Sequence, residues 1–134
     1  MTNKTPITFI SAERSELSTS QNSTRTEELR YALEALNLQY QEVSGVYQGD
    51  SEDSFLVLTP GGTSGETWRE LITLAKWFKQ ESILHVGSDR YGSLYYTDSG
   101  KWEGLGKFKE LPKYQAAART SYSIINNKYY DCGY

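Results

Sequence analysis

Short apolar runs separated by polar turns dominate this chain, and only two windows carry a helical period. The run Ile7-Thr8-Phe9-Ile10-Ser11-Ala12, fenced by Pro6 and by charged residues, predicts a first strand. From Glu13 to Ser23 neither period is present, which predicts a loop that is long for so short a chain. Thr24-Arg25-Thr26-Glu27 has the T-x-x-E form of a capping box, and Leu29, Leu33 and Leu36 follow at helical spacing, so a first helix is expected over residues 24–37. Tyr40, Val43 and Val46 predict a second strand that ends in the turn Gly45-Val46-Tyr47-Gln48-Gly49. Ser54-Phe55-Leu56-Val57-Leu58 predicts a third, stopped by Pro60-Gly61-Gly62, and the two strands should pair as a hairpin.

Thr63-Ser64-Gly65-Glu66 repeats the capping pattern, and Trp68, Leu71, Ala75 and Phe78 recur at steps of three and four, which predicts a second helix. Ser82 to Val86 and Ser93 to Tyr96 read as strands joined through Gly87–Gly92, whereas Lys101 to Pro112, with Gly104, Gly106 and Pro112, reads as a loop with a short strand. Two strand-like runs flank Asn126-Asn127, a pair that tolerates the positive φ of a two-residue hairpin turn. The expected fold class is therefore α+β: an antiparallel β-sheet with two helices packed on one face, in β-α-β-β-α-β-β order with a C-terminal hairpin. The 134 residues suit a single domain over 1–134.

Composition narrows the function more than the fold. Lys plus Arg is 14 and Asp plus Glu is 17, for a net charge of −3, so no basic stripe accompanies the aromatics and nucleic acid is not an expected partner. Hydrophobic residues make up 37% of the chain, and exchanging the 11 tyrosines for the 11 glycines in that count leaves it unchanged. Against roughly 45–50% in an average domain, the core is thin, which favours further burial between subunits. The polar start, Met1 to Pro6, leads into an apolar run, Ile7 to Ile10, too brief for a signal-peptide core, and no run approaches the roughly 18 apolar residues that span a bilayer, so a soluble cytoplasmic protein without a membrane partner is expected.

Most catalytic constellations are excluded by inventory. With one cysteine, Cys132, there is no intrachain disulfide or zinc cluster, and with one histidine, His85, set in an apolar strand, neither a Ser-His-Asp triad nor a His-rich metal site is expected. Gly61-Gly62-Thr63-Ser64-Gly65 lacks the lysine of a phosphate-binding loop and reads as a helix entry. What remains is carboxylates beside aromatic rings: Tyr47 at the end of the first hairpin, Glu52 and Asp53 before the strand that leaves it, and Glu81 where the second helix hands over to a strand. Carboxylates and tyrosine faces suit a cationic ligand, and no Asp-rich loop suggests a metal.

Five segments, Ile10-Ser11-Ala12-Glu13-Arg14-Ser15, Gly45-Val46-Tyr47, Gln80-Glu81-Ser82-Ile83-Leu84, Gly92-Ser93-Leu94-Tyr95-Tyr96 and Phe108-Lys109-Glu110-Leu111-Pro112-Lys113, stand in the order, and at nearly the spacing, of a known family. In this the chain resembles the small phage-encoded S-adenosylmethionine lyases, formerly classed as SAM hydrolases, over residues 7–118. It departs from them at residues 16–26 and in the short connection between Tyr47 and Glu52. The resemblance implies cleavage of S-adenosylmethionine to 5′-methylthioadenosine and L-homoserine lactone without cofactor or metal. It also implies a homotrimer with sites between subunits, and removal of the host's methyl donor to counter restriction-modification. On that reading Glu52, Glu81 and Tyr47 are the expected catalytic set, and Ser11, Arg14 and Glu110 the expected substrate-binding set. Two readings without catalysis stand beside it: an adenosine-ligand binding protein, and a phage inhibitor acting through a protein surface.

Overall fold

The structure, a computed structural model, describes residues 5–133; of the polar start read at Met1 to Pro6, residues 1–4 lie outside them. Its elements are β1 (Ile7–Ile10), α1 (Thr19–Ala35), β2 (Tyr40–Tyr47), β3 (Asp50–Leu58), α2 (Glu66–Trp77), β4 (Ser82–Val86), β5 (Tyr91–Tyr96), β6 (Trp102–Leu111), α3 (Lys113–Ala116), β7 (Tyr122–Ile125) and β8 (Lys128–Gly133). All neighbouring strands are antiparallel, and the sheet closes on itself in the order β1-β3-β2-β7-β8-β6-β5-β4, with β1 pairing β3 on one side and β4 on the other.

This closed eight-stranded barrel corrects the expected open α+β sheet with two helices on one face. The correction lies mainly in β6. The segment expected to be loop and short strand is a ten-residue strand that pairs with β5 through Tyr91↔Lys107 and Tyr95↔Trp102 and with β8 through Phe108↔Cys132 and Glu110↔Tyr130. Gly104 and Gly106 interrupt its alternation, and a register shift at Gly92/Ser93 on the facing strand bends the ladder there. With β6 in place neither sheet edge is left unpaired.

The strand period of two separates two apolar layers. Ile7 and Phe9 of β1, Val43 of β2, Leu56 and Leu58 of β3, Leu84 and Val86 of β4, Phe108 of β6 and Ile125 of β7 meet in one cluster. Residues from six strands of a closed sheet meet only inside it, so this cluster fills the lumen. The intervening residues, Ile10, Phe55, Val57 and Ile83, face outward and pack with Leu29 and Leu33 of α1 and Trp68, Leu71 and Ala75 of α2. The helices thus cover one stretch of outer wall.

Two helix starts differ from expectation. Ser18 caps α1 and completes a capping box with Gln21, so the helix begins before Thr24 and takes in residues expected to be loop; its first turns are polar because only Thr26, Leu29 and Leu33 are buried. Ahead of α2, Gly62–Ser64 form a single 3-10 turn and Gly65 is the cap, without a side-chain cap bond from Thr63. At the β7–β8 turn, Asn126 and Asn127 have φ of 50° and 63°, as a two-residue hairpin turn of this type requires.

Candidate active site at one mouth of the barrel

Antiparallel pairing brings the C-terminal ends of β1, β2 and β5 to the same mouth as the N-terminal ends of β3, β4 and β6. Parity then fixes which side chains face inward. Glu52 is four residues before lumen-facing Leu56, and Tyr47 four after lumen-facing Val43. Leu94 pairs with lumen-facing Leu84 and with Glu103, which puts Tyr96 and Glu103 on the same face. Glu52 pairs directly with Gly45, the residue two before Tyr47.

The chain leaving β1 is sewn to the start of β3. Ser11 is buried; its hydroxyl donates to the Asp53 carbonyl (2.8 Å) and accepts the Glu13 N–H (3.1 Å). The Asp53 N–H in turn donates to Glu13 Oε2 (2.9 Å), and Gln80 Nε2 donates to the Glu13 carbonyl (3.1 Å). Glu52 is half-buried in this setting. Burial, with the charges of Glu13 and Asp53 behind it, pushes its carboxyl up to about 7. Glu13 is also raised, chiefly by burial and against the lowering effect of the Asp53 N–H. Across the mouth, Tyr96 donates its hydroxyl to Glu103 (2.6 Å), and that bond to a carboxylate raises the phenol, with a smaller upward contribution from Tyr47.

The expected site residues divide. Glu52, Ser11 and Tyr47 lie at this mouth, and Glu81 stands exposed on its rim, its carbonyl held by the Thr97 N–H (3.0 Å). Arg14 is engaged elsewhere: its guanidinium pairs with Glu16 and reaches the Lys79 carbonyl, while its backbone is clasped by Asn22. Arg14 therefore ties the loop before α1 to the end of α2. Glu110 is exposed and sits seven residues along β6 from Glu103, about 23 Å away at strand rise, towards the opposite mouth. Sequence reading passed over Glu13. The signal available was its position, the first acid after a strand end whose serine turns back on it.

The arrangement is an acidic, tyrosine-bearing mouth in which Glu52 has no basic partner among the described residues, suited to a compact cation. Among the described residues no group of His, Cys, Asp and Glu is arranged to hold a metal ion. The profile of the S-Adenosylmethionine lyase family matches residues 8–133. The chain belongs to the S-adenosylmethionine lyase family. No curated protein matches it. As a lyase of this family it is an enzyme acting on a substrate whose sulfonium and α-ammonium outweigh its single carboxylate, the charge type that a mouth bearing Glu13, Glu52 and Glu103 attracts. No helix among the described residues is long and apolar enough to cross a membrane.

Proposed function

We propose that the enzyme cleaves S-adenosylmethionine to 5′-methylthioadenosine and L-homoserine lactone by an attack internal to the substrate. A methionine carboxylate oxygen bonds to the γ-carbon, the bond from that carbon to the sulfonium breaks, and its electron pair stays on sulfur. A carboxylate and a sulfonium become a neutral ester and a neutral thioether, and no proton is transferred. The protein's task is then to hold the methionine chain bent so that oxygen, carbon and sulfur are in line. Restricting a chain to near-attack shapes contributes up to about 7–11 kcal/mol in favourable cases.

The observation that carries this reading is Glu52, half-buried among like charges and facing the lumen at the mouth that also bears Tyr47 and Tyr96. In this role Glu52 and Glu81 hold the α-ammonium or the ribose hydroxyls, Tyr47 packs on the substrate, and Ser11 keeps Glu13 and Asp53 in place. A carboxyl titrating at about 7 would equally suit a general base for water, so hydrolysis is the outcome to be separated. Reaction in H₂¹⁸O at a pH where the lactone stays closed is expected to give unlabelled lactone before any homoserine. Labelled homoserine appearing first, with no lactone at any time, overturns the internal attack.

The proposal extends to assembly as a homotrimer with sites between subunits, supported by the family resemblance and by the exposed rings of Tyr47 (48%) and Trp77 (78%). Sedimentation as a monomer at micromolar concentration would remove it. Acting in a host cytoplasm, such an enzyme would strip methyl donor from restriction-modification systems. Expression in a host that carries such a system should lower cellular S-adenosylmethionine and restriction together.

A further inference from the structure

We propose that the outer wall of the barrel carries a second ligand site, centred on His85 and Trp102, for a planar, uncharged nitrogen heterocycle with an N–H donor, of nucleoside size. A cavity of about 690 Å³ opens there, lined by His85, Ser93, Trp102, Tyr91 and Asp89, with Thr63 and its neighbouring glycines closing one side. That is within the size range of small-molecule sites. None of these residues belongs to the mouth described above. His85 lies between Leu84 and Val86, both in the lumen cluster, so it faces away from the lumen.

His85 is built into this wall with one nitrogen committed and one free. Its residue is only 8% exposed. Nδ1 lies 3.0 Å from Thr8 Oγ1, which lies 2.8 Å from Thr59 Oγ1, whose hydroxyl donates to the Val57 carbonyl (3.0 Å). One arrangement makes all three contacts hydrogen bonds: Nδ1–H donates to Thr8, Thr8 to Thr59, and Thr59 to Val57. Nε2 is then a bare acceptor. Among the described residues every fully buried side-chain nitrogen or oxygen has a partner, and Nε2 has none, so Nε2 is reached from the cavity that His85 lines. Burial also holds the imidazole below its ordinary range, which keeps it neutral.

The other features select the ligand class. Trp102 stacks one ring on Trp68 (5.4 Å, 17°) yet is 45% exposed, and Tyr91 adds a second exposed ring, so two aromatic rings line the same cavity as the acceptor nitrogen. Among the described residues Asp89 is the only charged side chain in the lining; of the nearby cations, Arg90 donates to the Thr5 carbonyl (3.2 Å) and Lys107 to the Asp89 carbonyl (2.7 Å). A phosphate would meet a carboxylate and, among the described lining residues, no cation. Thr63, Ser88 and Ser93 offer hydroxyls to sugar-like oxygens. A neutral nucleoside fits these features, and a nucleotide does not.

The chain has a single histidine, so its imidazole nitrogens give unambiguous ¹⁵N resonances. In the free protein Nδ1 should be protonated and Nε2 bare. Adenosine should then move Nε2 and quench tryptophan fluorescence, both saturably and equally in wild type and in Glu52→Gln. Caffeine, which is planar but has no N–H, should quench while moving Nε2 several-fold less, and adenosine 5′-monophosphate should bind roughly tenfold more weakly than adenosine. Trp102→Ala should lose the Nε2 response. An Nε2–H tautomer in the free protein, an Nε2 that ignores saturating adenosine, or a response lost in Glu52→Gln together with activity overturns the proposal. The last result would assign adenosine to the mouth and leave the reading of that mouth intact.

Discussion

The Asp53 N–H donates to the carboxylate of Glu13 at 2.9 Å, and this bond holds an acid beside Glu52 that the strand pairing alone would not place there. Glu13 has left β1 and is kept at the mouth by Asp53, by Ser11 and by the reach of Gln80 to its carbonyl. Its charge is one of the reasons Glu52 binds its proton up to about 7. Glu13→Gln retains an oxygen for the Asp53 N–H and removes that charge. If ionised Glu52 holds a cationic substrate, kcat/KM falls as pH drops through about 7 in the wild type. In Glu13→Gln that acid limb should move to lower pH. A pH profile of kcat/KM for both proteins checks this; coincident limbs would show that Glu13 does not act on Glu52.

Glu52 also makes stability depend on pH, in the opposite sense to a salt-bridged acid. Its folded-state value of about 7 lies above its ordinary 4.5, so between these values the native protein binds more protons than the unfolded chain. Stability is therefore full below about 4.5 and is lost as pH rises through 7. The ceiling on this contribution is about 3 kcal/mol, and solvent reaching a half-buried carboxyl reduces it. Glu52→Gln should stabilise the protein by roughly 1–3 kcal/mol at pH 8 and by little near pH 4.5, while activity drops at least about a hundredfold. Denaturant unfolding at the two pH values, paired with assay of methylthioadenosine, reads both effects.

Glu81 and Glu110 were expected to share a site, and the barrel sets them at different ends. Glu81 stands beside the Gln80 that clasps Glu13, whereas Glu110 pairs with Tyr130 near the far mouth. Replacing each by Gln should separate them: Glu81→Gln is expected to raise KM or lower kcat by about tenfold or more, the scale of one charge-assisted contact. Glu110→Gln should leave both within about twofold. Equal losses would mean that a second subunit brings Glu110 to the mouth.

How much of this was legible depends on how strongly each strand writes its period. β3 is readable because Phe55 and Val57 face the helices while Leu56 and Leu58 face the lumen, making both faces apolar. β6 is not, because Gly104, Gly106 and Lys107 leave Phe108 as its one large lumen residue in the apolar cluster, and closure of the sheet depends on that strand. The start of α1 was hidden for another reason: the S-x-x-Q box at Ser18 precedes the apolar period by about three turns, so a second box at Thr24 drew the boundary. At the site, Tyr47 and Glu52 were legible as residues at strand ends. Glu13 was not, since its place is set by a bond to Asp53 across 40 residues of chain.

The same closure can be tested where β2 meets β7, next to Glu52. Gly45 pairs with Glu52 on one side and with Ser123 on the other. A Cβ built on Gly45 would lie 2.6 Å from the Tyr122 carbonyl oxygen, which is backbone and cannot turn aside. Gly45→Ala must therefore push β7 outward or twist β2, and overpacking of this kind costs about 1–3 kcal/mol. Because β7 joins β2 to β8, the displacement opens the barrel at a seam and shifts the partner strand of Glu52. Urea unfolding should show the lower midpoint, and KM should rise in the fraction that remains folded. An unchanged midpoint would mean that β7 does not approach β2 this closely, and the closed barrel would lose one of its seams.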